Sequence, residues 1–271
     1  MTGFFDNIDR PLLRSVIKHR VNDGGILRLI GKFLNAGIWD GKELSYPDRG
    51  TPQGAVISPM LANIFLHTVL DDWFVKEVQP SLRGRSMILR FADDFVIGCE
   101  YEEDARAALD MLKKRLSDYK LTVHPEKTKL INFQSPAVRG NHSQSKSGAF
   151  DFLGFKHYWA KSRRGYRVIK RRTSNKRLRR AQKRLWIWCR NNRHMKLKDQ
   201  YRILCSKLRG HYQYYGIRCN YRSLEAVFEL VERAWQYWLS RRSHKSYISW
   251  EKFEKLRSLF RLPKPRIIHS V

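Results

Sequence analysis

Asp93 and Asp94 are the residues of this chain best suited to chemistry: two adjacent carboxylates set between Met87-Ile88-Leu89 and Phe95-Val96-Ile97. Short apolar runs rich in aromatic and β-branched residues predict strands. An Asp-Asp pair suits a strand interior badly, because Asp is depleted there and two like charges repel. The pattern predicts a hairpin with the pair at its tip, open to solvent or to a cation. Magnesium takes hard oxygen ligands, commonly one or two carboxylates together with substrate phosphates. Such a site can hold two ions about 3.5–4 Å apart and clamp the attacking and leaving oxygens of a phosphoryl transfer. For Ala92-Asp93-Asp94 taken alone, an ordinary acidic turn is the plain alternative.

The elements that must position this pair follow from periodicity and punctuation. Asp9 before Arg10-Pro11 predicts a helix start, with Leu12, Leu13, Val16 and Ile17 at helical spacing. A second helix follows Asp23-Gly24-Gly25, with Ile26, Leu29, Ile30 and Phe33 on one face. In Arg49-Gly50-Thr51-Pro52-Gln53-Gly54 the glycines let the backbone approach a ligand and the proline stiffens the loop. Ser58-Pro59 reads as an N-cap and first helical position, followed by Leu61, Ile64, Phe65, Val69 and Leu70 as an amphipathic helix. Residues 102–118 predict a helix, acidic at its start and basic near its end, the order the helix dipole favours. Leu121-Thr122-Val123, a turn at His124-Pro125 and Glu126 to Lys129 follow, then a polar loop over 134–148 and a strand over Phe150–Phe155.

Charge divides the chain. The net formal charge is +29 over 271 residues, with a hydrophobic fraction of 42% that argues for a folded protein. Residues 1–155 hold 21 Lys+Arg against 19 Asp+Glu, whereas residues 156–271 hold 33 against 6. A near-neutral body joined to a strongly basic one points to a polyanionic partner, with nucleic acid ahead of an anionic membrane. Residues 161–184 carry thirteen Lys or Arg and no acid, a run suited to salt-sensitive, sequence-independent phosphate contacts. Inside and after it Leu178, Ala181, Leu185 and Trp188 recur at helical spacing, and later aromatics, Tyr214 and Tyr215 among them, could stack on unpaired bases. Phe228, Val231, Trp235 and Trp238 read instead as core. No apolar run reaches the roughly 18–20 residues of a membrane span. The four cysteines lack zinc spacing and predict free thiols in a reducing compartment.

Five stretches occur in a telling order: Gly3-Phe4-Phe5-Asp6-Asn7-Ile8-Asp9, Arg49 to Gly54 continuing through Ser58 to Asn63, Phe91-Ala92-Asp93-Asp94, Leu121 to Lys129, and Phe152-Leu153-Gly154-Phe155. Together they resemble the palm blocks of the reverse transcriptases encoded by bacterial group II introns. Leu208-Arg209-Gly210-His211-Tyr212-Gln213-Tyr214-Tyr215-Gly216 is similar to that family's maturase block, and Leu262 to Ile267 to a common C-terminal ending. The resemblance implies an α+β fold: a reverse-transcriptase palm over 1–158, a helical and basic thumb over 159–200, and a maturase-type RNA-binding domain over 201–271. It also implies an N-terminally truncated form. The family's third catalytic aspartate stands five residues before the position of Phe5, so the fingers and first catalytic strand are expected to be missing. Asp6 and Asp9 lie on the far side of Phe5 and are not expected to replace it.

The roles implied by the resemblance are specific. Asp93 and Asp94 supply carboxylates to Mg2+, and Phe91 packs under the primer end. Phe5 is the aromatic gate beneath the sugar of the incoming nucleotide, Gln53 and Gly54 lie along that nucleotide, and Lys127 serves the triphosphate. From the basic run and the aromatics themselves, Arg171, Arg172, Lys176, Arg179, Arg180, Tyr214 and Tyr215 are expected to hold RNA. The implied partners are group II intron RNA, an RNA template with a DNA primer, and deoxynucleoside triphosphates, in the bacterial cytoplasm and without a membrane. The implied activity is RNA-directed DNA synthesis with assistance to splicing. The alternative is a catalytically incomplete remnant that only binds RNA as a splicing factor.

Overall fold

The computed structural model of the protein describes residues 4–39, 41, 44–45, 50, 56–135, 148–243 and 247–270. The chain divides into two compact units, Met1–Asn132 and Phe133–Val271. The functional boundaries expected after residues 158 and 200 both fall within the second unit.

The first unit opens with α1 (Phe4–Asn7) and α2 (Arg10–Lys18). The predicted cap is present: the Asp9 carboxylate accepts the Leu12 amide hydrogen bond at 3.1 Å, with Pro11 in the first turn. Asp23 caps α3 (Gly24–Leu34) in the same way, through the Ile26 amide at 2.9 Å. The predicted apolar face of α3 becomes core only in part. Ile26, Leu29 and Phe33 stay about half exposed, at 49%, 53% and 47%, while Ile30 of that face packs on the core together with Leu27 and Leu34. Apolar residues cover more than one side of this helix, so spacing alone does not select the buried one. A short antiparallel pair, β1 (Ile38–Trp39) with β2 (Leu44–Ser45), follows; the sequence pattern gives no sign of it.

In α4 (Ser58–Leu66) Ser58 is already inside the helix, and the cap position is Ile57 without a side-chain cap bond. The helical run then widens into π-type turns at His67–Asp72 and Phe74–Val78 before α5 (Gln79–Ser81). Leu61, Phe65, Leu66, Val69, Leu70, Trp73, Phe74 and Val78 bury its inner side. β3 (Ser86–Phe91) and β4 (Asp94–Cys99) form an antiparallel hairpin registered from Ser86↔Cys99 to Phe91↔Asp94. The base of the hairpin is fixed by α6 (Glu102–Asp118), which spans the residues predicted for it. Buried Asp104 accepts the Gly84 and Arg83 amides at 2.8 and 3.3 Å. A Cβ on Gly84 would stand 2.7 Å from the Tyr101 ring, so the close approach requires glycine. Ala108, Leu112 and Leu116 seat α6 in the same core. Residues 121–135 follow without a regular element.

The second unit begins with a three-stranded antiparallel sheet, β5 (Phe150–Phe152), β6 (Phe155–Lys161) and β7 (Arg167–Thr173). Phe150–Phe155 is therefore not the single strand expected. Leu153 and Gly154 take φ of 49° and 82°, and two successive positive values make the tight reversal of a I′-type hairpin. Gly154 adopts this without penalty, whereas Leu153 needs the surrounding sheet to hold it there. α7 (Asn175–Asn191), α8 (Leu197–Tyr215), α9 (Tyr221–Leu239) and α10 (Trp250–Leu259) complete the unit around Leu185, Leu204, Leu208, Tyr212, Val231, Trp235 and Phe253. The basic run expected on a helix is shared: Arg167 to Arg172 lie on β7, and the helix begins only at Asn175. Val231 and Trp235 are buried and Phe228 and Trp238 pack beside them, as the helical spacing indicated. The residues after α10 run back along α8, where the Tyr212 hydroxyl donates to Pro263 O at 3.0 Å and Gly216 O accepts from the Ile268 and His269 amides. Among the described residues no helix is long and apolar enough to cross a membrane. All four cysteines are free.

Candidate functional site

The hairpin tip carries the acidic pair as the apolar flanks predicted. Ala92 and Asp93 are the two turn residues, and Asp94 opens β4 opposite Phe91. Ala92 sits at φ 53° and Asp93 does not share the positive sign. A positive value at the first turn position only is the requirement of a II′ turn, whose twist matches the flanking strands. The turn therefore offers two carboxylates on consecutive residues at a solvent-open point, with Asp94 exposed and Asp93 half-buried.

A residue to which the sequence pattern assigns no role holds this turn in place. Arg90 grips Asp71 with two hydrogen bonds, Nε to Oδ1 at 2.7 Å and Nη2 to Oδ2 at 2.6 Å. Its Nη1 donates to Asn63 Oδ1 at 2.9 Å and to the Ala92 carbonyl at 3.1 Å. One guanidinium thus ties the strained turn residue to α4 and to the π-type turn that follows it. Burial pushes the Asp71 carboxyl up, but the Arg90 hydrogen bonds and charge, with His67 beside it, outweigh that and hold its pKa below the usual carboxylate value. His67 reaches both Asp71 and Asp72, at 3.3 and 3.6 Å. The signal that could have found this cluster is a lone Arg inside an apolar strand, which needs a carboxylate partner when buried.

The remaining expected site residues are placed as follows. Phe91 ends β3 and is 65% exposed, clear of the core. Lys127 is exposed in the turn at Pro125–Lys127. The backbone of Phe5 lies in α1, its side chain falls outside the described residues, and so do Gln53 and Gly54. Asp9 is committed elsewhere: it caps α2 and receives Lys120 Nζ at 2.6 Å. Among the described residues no group of three or more His, Cys, Asp or Glu side chains is arranged to hold a metal ion. The donor chemistry of Asp93 and Asp94 nonetheless fits magnesium, which accepts one or two carboxylates and fills its other positions from water and phosphate.

In the second unit Arg171 and Arg172 lie on β7, and Lys176, Arg179 and Arg180 are exposed on α7. The Arg172 guanidinium covers the Tyr158 ring at 5.4 Å. Tyr214 and Tyr215 close on the β5–β6 turn: the Tyr214 hydroxyl donates to Leu153 O at 2.9 Å, and its ring stacks on Phe155 at 5.8 Å. Tyr214 remains 54% exposed. His211 beside them is driven down to a pKa of about 4 by burial, and its Nε2 is enclosed without a hydrogen-bond partner.

Residues 1–157 match the family described as reverse transcriptase (RNA-dependent DNA polymerase). A stretch of 125 residues, 42% of the chain, is 42% identical to the group II intron-encoded protein LtrA of Lactococcus lactis subsp. cremoris, of which it covers 20%. The putative COX1/OXI3 intron 2 protein of Saccharomyces cerevisiae is 36% identical over 35% of the chain and 12% of its own length. Protein YkfC of Escherichia coli K12 is 26% identical over 48% of the chain and 41% of its own length. The chain thus spans about a fifth of the length of the first of these relatives.

Proposed function

The chain belongs to the reverse transcriptase (RNA-dependent DNA polymerase) family, and on that premise we propose that it is the polymerase and maturase of a group II intron. In this reading it copies intron RNA into DNA by nucleotidyl transfer and assists splicing by binding the folded intron. The observation that carries it is the two-residue turn of Ala92 and Asp93, pinned by Arg90 so that the carboxylates of Asp93 and Asp94 stand open to solvent.

Asp93 and Asp94 are the residues that would hold Mg2+ at the tip. A magnesium ion there, with substrate phosphates, would supply charge neutralisation for nucleotidyl transfer. Arg90 holds the turn backbone through the Ala92 carbonyl, so the two residues that carry the carboxylates are positioned before substrate arrives. Exposed Phe91, next to them, supports the primer end, and Phe5 gates the sugar of the incoming deoxynucleoside triphosphate. Gln53 and Gly54 lie along that nucleotide, and Lys127 neutralises or protonates the pyrophosphate. Arg171, Arg172, Lys176, Arg179 and Arg180 contact RNA phosphates, while Tyr214 and Tyr215 face unpaired bases. The palm, thumb and maturase assignments to 1–158, 159–200 and 201–271 belong to this reading, as does a bacterial cytoplasmic setting.

The test is primer extension on an RNA template in magnesium, with RNA binding measured alongside. Asp93→Ala and Asp94→Ala should each abolish extension and leave RNA affinity within about twofold, since neither carboxylate contacts phosphate directly. Extension that survives both substitutions defeats the assignment. A second reading, RNA binding without synthesis, is favoured by Asp9 and Asp71, acids of the same unit that are tied to Lys120 and Arg90 rather than open to an ion. Tight RNA binding with no extension by the unsubstituted chain would select it.

A further inference from the structure

α8 carries a cationic face to which neither the motifs nor the proposed RNA contacts assign a task. Lys198, Arg202, Cys205 and Arg209 recur at steps of four, three and four, and so share one side of the helix. With Tyr201, Leu259 at the end of α10 and Phe260 just after it, they line an open cavity of about 440 Å³. That volume is within the range of pockets for small organic ligands, about 300–1,000 Å³.

The cavity has two distinct parts. Its floor is apolar and aromatic: the Tyr201 and Phe260 rings meet edge to face at 5.3 Å and 61°. The floor is also fixed, because the Tyr201 hydroxyl donates to Arg261 O at 3.2 Å, tying α8 to the residues that follow α10. Its rim is positive. Lys198, Arg202 and Arg209 border it, with Arg202 in a loose, exposed ion pair with Asp199 at 4.0 Å. Arg209 lies close enough to act electrostatically on the Tyr201 phenol. An inorganic anion would leave the aromatic floor unused, and a neutral apolar ligand would leave the Lys198 and Arg209 charges without a counterpart in the ligand. A flat ring joined to a phosphate satisfies both parts.

We propose that this cavity takes one unpaired nucleotide of an RNA strand, its base against the Tyr201–Phe260 floor and its phosphate held by Lys198, Arg202 and Arg209. The proposal rests on the reading of the second unit as RNA-binding and adds to it a place where single-stranded character is recognised. Bases that leave a helix are the ones proteins stack and read, since paired bases do not present a face.

The experiment uses the full chain and two RNAs of equal length and charge: a hairpin with an unpaired uridine loop and a fully paired duplex. Arg202→Gln with Arg209→Gln alters only exposed side chains, so folding is preserved. We expect loop-RNA affinity to fall about tenfold, the scale of losing two charged contacts to one held phosphate, and duplex affinity to change less than about twofold. A 4-thiouridine placed in the loop should cross-link within α8 or at Phe260, and the cross-link should disappear in the variant. Equal weakening of both RNAs, no weakening of either, or cross-links confined to β7 and α7 would each overturn the proposal. So would displacement of loop RNA by poly-glutamate at matched charge, which would point to an acidic peptide. Failure of the unsubstituted chain to bind either RNA would sink the wider reading as well, whereas binding without loop selectivity would sink this inference alone.

Discussion

Replacing Arg90 by Ala should loosen the acidic turn more than any other single change outside it. The side chain is 12% exposed and that of Asp71 is 26% exposed. The substitution removes two charge-assisted bonds to Asp71, one to Asn63 and one to the Ala92 carbonyl. Breaking a fully buried ion pair by deleting one partner destabilises by about 3–5 kcal/mol. Asp71 is a quarter exposed and regains some water, so about 2–3 kcal/mol is the reasonable expectation here. The two units need not unfold together, so the readout must be local. Amide hydrogen exchange in β3 and β4 should accelerate by about 30- to 160-fold, the factor that energy implies. Combining Arg90→Ala with Asp71→Asn should add little to the first change, giving a coupling of about 1–2 kcal/mol. The sign with pH follows from the depressed folded pKa of Asp71. Its contribution is fully present above the ordinary value of 3.8 and is lost as pH falls through the lower folded value. That acid-dependent loss should vanish in Arg90→Ala. Exchange rates within twofold of the unsubstituted protein, or strictly additive effects, would refute the idea that Arg90 fixes the turn.

Further outcomes follow from other strained or buried groups. Ala92→Gly should raise stability by up to about 1 kcal/mol by relieving a positive φ, while Ala92→Val should lower it by more than that; thermal melts compare them. His211, with a folded pKa of about 4, should weaken the second unit as pH drops from about 6.5 toward 4, because the unfolded chain takes up the proton first. Urea titrations across that range should show the slope, and His211→Phe should flatten it. Asn220→Ala should destabilise the second unit by about 2–3 kcal/mol, because Asn220 is buried and bonds the Thr173 amide, the Thr173 hydroxyl and the Tyr215 carbonyl at 2.7–2.8 Å. Changing Lys176, Arg179 and Arg180 to Ala should weaken RNA binding and reduce its salt slope by about one for each RNA phosphate no longer neutralised.

What the sequence disclosed was local. The acidic turn was legible because two carboxylates interrupt an apolar alternation, and the cap at Asp9 and the charge order of α6 were legible because they act within one helical turn. The clamp on the turn was not, since Arg90 meets Asp71 and Asn63 only after the chain has folded back on itself. The reversal at Leu153-Gly154 was hidden because Leu gives no warning of a left-handed backbone. β7 was hidden because its charges mask the period of two that a strand would otherwise show. For α3 the period was right and the buried side was right only at Ile30, a matter decided by neighbours rather than by spacing.

The hairpin register has a kinetic consequence. All pairings from Ser86↔Cys99 to Phe91↔Asp94 lie close together along the chain, and a local hairpin of this kind closes in about 1–10 μs. An isolated pair of strands is only marginally stable in water, so it should flicker until Arg90 finds Asp71. The spacing of Asp93 and Asp94 is therefore available early and transiently in folding, and the slower search is for the clamp. Substitutions at Arg90 should act mainly by hastening local opening, leaving the speed of hairpin closure almost unchanged.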